Sequence, residues 1–260
     1  KYHGRKIVAF LEHVNQLDMT DENNAYLVQI PFTIFVKGNS KLPFYAFSVL
    51  PLITCSGMGA CAKWCYSLKA WRYPAAFFRQ IQNTVLVYEA KSRLEAEFTR
   101  LTMAKRNVNG FDFRLYVDGD FDSVETLAFW MEVLGKNPNV KAYGYSKSWQ
   151  HFLTYRGNGY TFPSNYVLNL SGGSRYDNNV EMKAAMQSLS CTRGEFVALP
   201  SSFDSKKDFK NQRSELLGKV SGKRMVCTGK CGSCVLISGK NVHACGSKLF
   251  QDVKILIGIH

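Results

Sequence analysis

A chain of 260 residues with 46% apolar and 13% aromatic content can bury a large core, which excludes a disordered tail and a small disulfide-dependent scaffold. No apolar run approaches the ~20 residues of a membrane-spanning helix, so the protein is expected to be cytoplasmic with no membrane partner. The net charge of +13 favours polyanions, nucleic acid among them, although the basic residues are scattered and thicken only at 206–210 and 219–224.

In chain order, residues 1–43 carry short apolar runs at 27–30 and 32–36, broken by Pro31 and Gly38, which predicts a strand pair or an N-terminal extension. The chain starts at Lys1 without a secretory leader, and a natural start further upstream is expected. A strand is predicted over 44–50, ended by Pro51. A long helix is predicted over 74–105, where Phe77, Ile81, Val85, Tyr88, Leu94, Phe98 and Leu101 recur at helical spacing and Pro74 suits the first turn. A strand over 111–117 runs into Asp118-Gly119-Asp120. The next helix is expected to start at an Asp122 cap, with Glu125 completing a capping box, and to stop at Gly135.

A strand over 140–145, a short helix over 149–155 and a strand over 166–170 follow. Asp177 then caps a helix running to 189, and a strand covers 195–199. The polar stretch 201–223 reads as loop or poorly packed helix. A last β-like run at 253–259 ends at His260. This alternation predicts an α/β fold with a mostly parallel sheet, open or rolled into a partial barrel, whose active groups gather at the strands' carboxyl ends. The expected organisation is an extension (1–43), an α/β core (44–205) and a cysteine-rich segment packing on it (206–260).

Seven of the eight cysteines fall in two tight groups: Cys55, Cys61 and Cys65, then Cys227, Cys231, Cys234 and Cys245. Cysteines so close in sequence make poor long-range crosslinks, so metal-bound thiolates in a reducing compartment are the better reading. Three thiolates on a 4Fe–4S cluster leave one iron open to a ligand, and Gly57 and Gly59 are expected to let the backbone wrap closely around the inorganic core. Four thiolates close a site, so the second group is expected to carry electrons or to hold structure. Zinc is the rival there, with His243 able to replace Cys245, and zinc or free thiols remain open at the first loop. One shared cluster holding both loops is a further arrangement. Cys191 is expected to be an ordinary buried cysteine at the opposite rim, and His151 to pack on its helix.

Other polar groups fall at the same rim. Asp118 and Asp120 suit acid–base work, a divalent metal or a cofactor amine, or they simply satisfy backbone amides. Lys147, between Ser146 and Ser148, suits a phosphate or carboxylate. The Ser171-Gly172-Gly173-Ser174 run offers amides to an anion, and Asn169 is a candidate polar contact.

The cysteine loop, with Trp64 just before Cys65, resembles that of the radical S-adenosylmethionine superfamily. There three cysteines spaced by three and two residues follow the first strand of a partial barrel; here the spacing is five and three. The resemblance implies that Trp64 touches an adenine, and that Asp118-Gly119-Asp120 takes the place of a Gly-Gly-Glu-like segment beside the cofactor's amino group. A closer resemblance is to the gene-product-88-like proteins of bacteriophages. It is carried by Cys65-Tyr66, by Arg114-Leu115-Tyr116-Val117-Asp118-Gly119-Asp120-Phe121, by Tyr145-Ser146-Lys147-Ser148, by Asn169-Leu170-Ser171 and by the C-terminal cysteines. It implies a viral protein acting in host cytoplasm and brings no established activity.

The expected function is that of an iron–sulfur protein with one or two clusters, served by an electron donor. In it Asp118, Asp120 and Lys147 take catalytic roles, while Trp64, Gly119, Ser146, Asn169 and Ser171 contact the cofactor, S-adenosylmethionine in the radical version. The alternative is a basic nucleic-acid-binding protein, or a metal-dependent nuclease using Asp118 and Asp120, with structural iron–sulfur or zinc centres.

Overall fold

The computed structural model describes residues 1–38, 41–204 and 207–259. Lys206, in the first basic stretch and at the expected 205/206 boundary, and His260 lie outside the described residues. The chain opens with α1 (Tyr2–Gln16) and a short α2 (Asn24–Leu27), which replace the expected strand pair. Ile7, Phe10 and Val14 fall on one face of α1 and are its buried residues, so helical spacing governs there. Two-residue strands β1 (Val36–Lys37) and β2 (Tyr45–Ala46) follow. The run expected as a strand over 44–50 keeps strand-like bonds beyond β2, from Phe47 N to Arg114 O (3.1 Å) and from Val49 N to Asp118 O (3.1 Å).

The long helical stretch is two helices, α3 (Pro74–Glu89) and α4 (Lys91–Met103), broken at Ala90, whose φ of −145° and ψ of 53° leave the helical region. The regular alternation then begins: β3 (Phe111–Leu115), α5 (Val124–Lys136), β4 (Val140–Ser146), α6 (Trp149–Gly157), β5 (Tyr166–Ser171), α7 (Val180–Gln187) and β6 (Thr192–Pro200). Two caps differ from expectation. Ser123, not Asp122, accepts from Thr126 N and starts α5, and Asn179, not Asp177, caps α7. In both cases the capping oxygen comes from a residue nearer the helix in sequence.

The polar stretch after β6 forms α8 (Phe209–Lys219), followed by β7 (Arg224–Val226), a hairpin of β8 (Val235–Ile237) and β9 (Lys240–Val242), and finally β10 (Lys254–Ile259). The main sheet has eight strands in the order β1-β2-β3-β4-β5-β6-β10-β7. Every pairing is parallel except β1 with β2. From β2 to β6 the neighbours follow chain order, so this stretch lacks the reversal that marks a doubly wound sheet. The sheet is open: β1 and β7 are its edges. The segment expected to pack on the core instead enters it, since β10 lies between β6 and β7.

Strand alternation sorts the side chains onto two faces. Phe113 and Leu115 of β3, Ala142 of β4, and Tyr166, Leu168 and Leu170 of β5 join the main core with Phe98, Trp130 and Phe152 from the helices. A smaller core forms where Leu216 of α8 meets Val226 and Leu256. The other face carries Arg114, Tyr143, Tyr145, Phe196 and Ile257, and these residues line a cavity together with the cysteines. No helix among the described residues is long and apolar enough to cross a membrane.

Candidate functional site

The first cysteine loop is bound to the ends of β4 and β5 through its backbone. Gly59 N and Cys61 N both donate to Gly173 O (3.1 and 3.2 Å), and Arg175 N donates to Gly57 O (3.1 Å). Ser174 Oγ donates to Gly57 O and to Lys147 O (3.2 and 3.1 Å). Gly57 and Gly59 serve this docking rather than wrapping of an inorganic core. A Cβ at Gly57 would overlap the Lys147 carbonyl, and one at Gly59 would sit 2.6 Å from Arg175 N. Gly173 adopts φ +85° with Cys61 and Trp64 directly against it. Asp177, freed from capping, accepts a 2.6 Å bond from Gly173 N and holds that turn.

The second group reaches the same rim from the opposite side. Cys231 N donates to Lys41 O (2.8 Å), and Asn169 Nδ2 donates to Cys245 O (2.9 Å). His243 lies over Phe44, with ring centres 4.7 Å apart, and its Nε2 meets Asp112 at 3.3 Å. Gly246 makes room for the His243 ring, which a Cβ there would overlap.

All seven clustered cysteines therefore line one cavity of about 330 Å³ at the carboxyl ends of the strands and over the adjoining sheet face. Cys191 is separate, buried just ahead of β6 at the other end of the sheet. Among the described residues no three His, Cys, Asp or Glu side chains converge tightly enough to hold a single metal ion. Burial pushes the Cys55 thiol up to about 12, with the charge of Asp120 adding to the effect, and burial raises Cys245 to about 12. Cys227 and Cys231 are raised for the same reason, burial. These sulfurs keep their protons at neutral pH.

Of the residues singled out from sequence, Trp64, Gly119, Asp120, Lys147 and Ser171 line the cavity, whereas Asp118, Ser146 and Asn169 do not. Asp120 is saturated from below: it accepts from Ser146 Oγ (2.7 Å), Lys147 N (2.7 Å) and Phe121 N (2.8 Å). Burial raises its carboxyl and these bonds oppose the rise. Asp118 turns toward α3 and accepts from Gln80 Nε2 at 3.0 Å. Gly119, at φ +81°, turns the backbone between the two aspartates and sends them in different directions. Asn169 is fully buried, bonded to Gly144 O and Cys245 O, and accepting from Arg193 Nε at 2.7 Å. It positions a cysteine instead of contacting a ligand. Lys147 Nζ donates to Ser171 Oγ at 2.8 Å. His151 packs outside the cavity, its Nε2 2.8 Å from Ser56 Oγ.

The sequence reading gave no role to Arg114, Tyr143 or Tyr145, which form the floor of the cavity. Arg114 stands between the buried Phe113 and Leu115 in β3, and a charge set between two apolar residues was the available signal. Its guanidinium carbon lies 4.7 Å from the Tyr145 ring centre, and its Nε is buried without a hydrogen-bond partner. Tyr143 Oη and His243 Nδ1 are likewise buried and unpaired.

No curated protein and no solved structure matches the chain. The family model described as gene product 88 matches residues 17–236, which include both cysteine groups except Cys245 and the cavity-building strands other than β10. This chain belongs to the gene product 88 family.

Proposed function

We propose that this protein is an iron–sulfur protein whose two cysteine groups load inorganic clusters into one shared cavity. The observation that carries the reading is the cavity itself: seven thiols from two distant segments line it. Thiolates are the ligands of iron–sulfur clusters, and zinc stays the rival at the second group, where the Cys231–Cys234 spacing suits it.

Cys55, Cys61 and Cys65 would hold one cluster with an open coordination position, and Cys227, Cys231, Cys234 and Cys245 would hold a closed one. Bound clusters supply one-electron chemistry. In the finer reading S-adenosylmethionine enters at the first group, as in the radical enzymes. Trp64 then offers a stacking face, and Lys147, with Ser171, is placed to bind the carboxylate. Asp120 has its oxygens committed beneath the cavity and would shape the floor.

The protein purified without oxygen is expected to be brown and to contain iron and acid-labile sulfide in comparable amounts. Colourless protein free of iron after reconstitution rules out the reading. Under strong reduction the loaded protein is expected to release 5′-deoxyadenosine from S-adenosylmethionine; release no greater than background removes the radical version and leaves an electron carrier. The net charge of +13 supports a second reading, nucleic-acid binding around structural centres. It expects affinity for single-stranded DNA that falls steeply with salt, and no binding at low salt eliminates it. The nuclease version is the weakest, because Asp118 faces away from Asp120's cavity.

A further inference from the structure

The sheet face under the cysteines carries two arginines with opposite surroundings. Arg193 is fully satisfied. Its Nε donates to Asn169, its Nη1 to the carbonyls of Phe250 and Val253, and its Nη2 to that of Glu195. Arg114 has nothing comparable. None of the described residues accepts a hydrogen bond from its guanidinium, and no carboxylate stands within ion-pair distance of it. Its neighbours on the floor are Tyr66, Tyr143 and Tyr145, with Cys227, Cys231 and Cys245 in its electrostatic field. Its Nε is sealed from solvent without a partner, and an unpaired buried donor is costly. Arg114 as a whole is half-buried, and its place opposite Tyr143 across β3 and β4 puts it on the cavity floor.

Four thiolates around a metal–sulfide core carry net negative charge, which is the missing complement. We propose that Arg114 is an electrostatic positioning residue for the centre held by Cys227, Cys231, Cys234 and Cys245, and that its charge raises the reduction potential of that centre. The inference rests on the iron–sulfur reading above. Reduction adds one electron from a low-potential donor and breaks no bond. The extra negative charge is stabilised by the fixed cations around it, Arg114 at Cys231 and Arg193 with Arg114 at Cys245, so removing Arg114 disfavours the reduced state. Net charge and local hydrogen bonding are established determinants of such potentials.

The experiment is a redox titration followed by electron paramagnetic resonance. It uses full-length protein loaded with iron and sulfide, with Cys55, Cys61 and Cys65 changed to alanine so that only the second centre titrates. Arg114→Gln is expected to make reduction at least tenfold less favourable, a fall of about 59 mV for one electron. Arg114→Lys, which keeps the charge, is expected to stay within threefold of the parent. An unchanged potential in Arg114→Gln overturns the proposal and points to Arg114 as a contact for an anionic substrate. An equal fall in both variants overturns it in favour of shape. If Arg114→Gln does not load, Arg114→Lys decides: full loading at a near-parental potential supports the role of charge, and failure to load overturns it. An iron-free wild type fails the underlying reading before any variant is made.

Discussion

Changing Cys55, Cys61 and Cys65 together to alanine is expected to leave a folded protein with roughly half the iron and sulfide of the wild type. The thiols are partly buried at the rim and belong to neither hydrophobic core. The loop that carries them is fixed by backbone bonds to Gly173 and Arg175 and by Ser174 Oγ, none of which involves sulfur. Loss of the sulfurs therefore removes ligands without removing the attachment. The metal-free forms should unfold within about 1 kcal/mol of each other in urea. The complementary change at Cys227, Cys231, Cys234 and Cys245 should leave the other half of the metal, together with any S-adenosylmethionine binding. Iron analysis and the visible spectrum of the two variants check this directly. Undiminished iron in the first variant would mean that the early loop is not a ligand set.

Gly57→Ala is expected to cost about 3 kcal/mol or more, a large effect for one added methyl group. The Cβ has no free direction: it meets the Lys147 carbonyl, and Ser148 N lies 2.6 Å away. Both neighbours are backbone at the end of β4, and neither can rotate aside as a flexible side chain would. The loop must lift, breaking the Arg175 N bond to Gly57 O and weakening both Ser174 contacts. Metal loading at the first group should fall with it. Gly135→Ala, on α5 with open space around its Cβ, is the matched control and should be neutral or stabilising. Urea denaturation of the two proteins measures the contrast. A difference under about 0.5 kcal/mol would contradict the close approach described for the loop.

The middle of the fold was legible because its strands are buried runs separated by amphipathic helices. Val140–Ser146 and Tyr166–Ser171 stand within a residue of their expected ends. Breaks without a glycine or proline were not legible. Ala90 interrupts a continuous apolar stripe, and nothing local announces its backbone angles. The first helix was not legible because its apolar run, Ile7 to Leu11, is continuous and short, and such a run fits a buried strand as well as a helix. At the site, sequence order placed Asp118, Asp120 and Asn169 at one rim but could not give their facing. The positive φ of Gly119 divides the aspartates, and Cys245 covers Asn169. The meeting of the two cysteine groups depends on how residues 227–253 return over the sheet between β7 and β10, a long-range path that no local pattern encodes.

The insertion of the final strand between β6 and β7 also dictates an order of assembly on the ribosome. During synthesis β7 emerges with no neighbour to pair with, and it waits for β10 to be made before it gains one. The early loop can dock as soon as Gly173 and Arg175 have left the tunnel, whereas Cys245 is drawn over the sheet only when its far flank, β10, slots home. On the proposed iron–sulfur reading, the two cysteine groups would thereby be filled at different times, the later one on an already folded body.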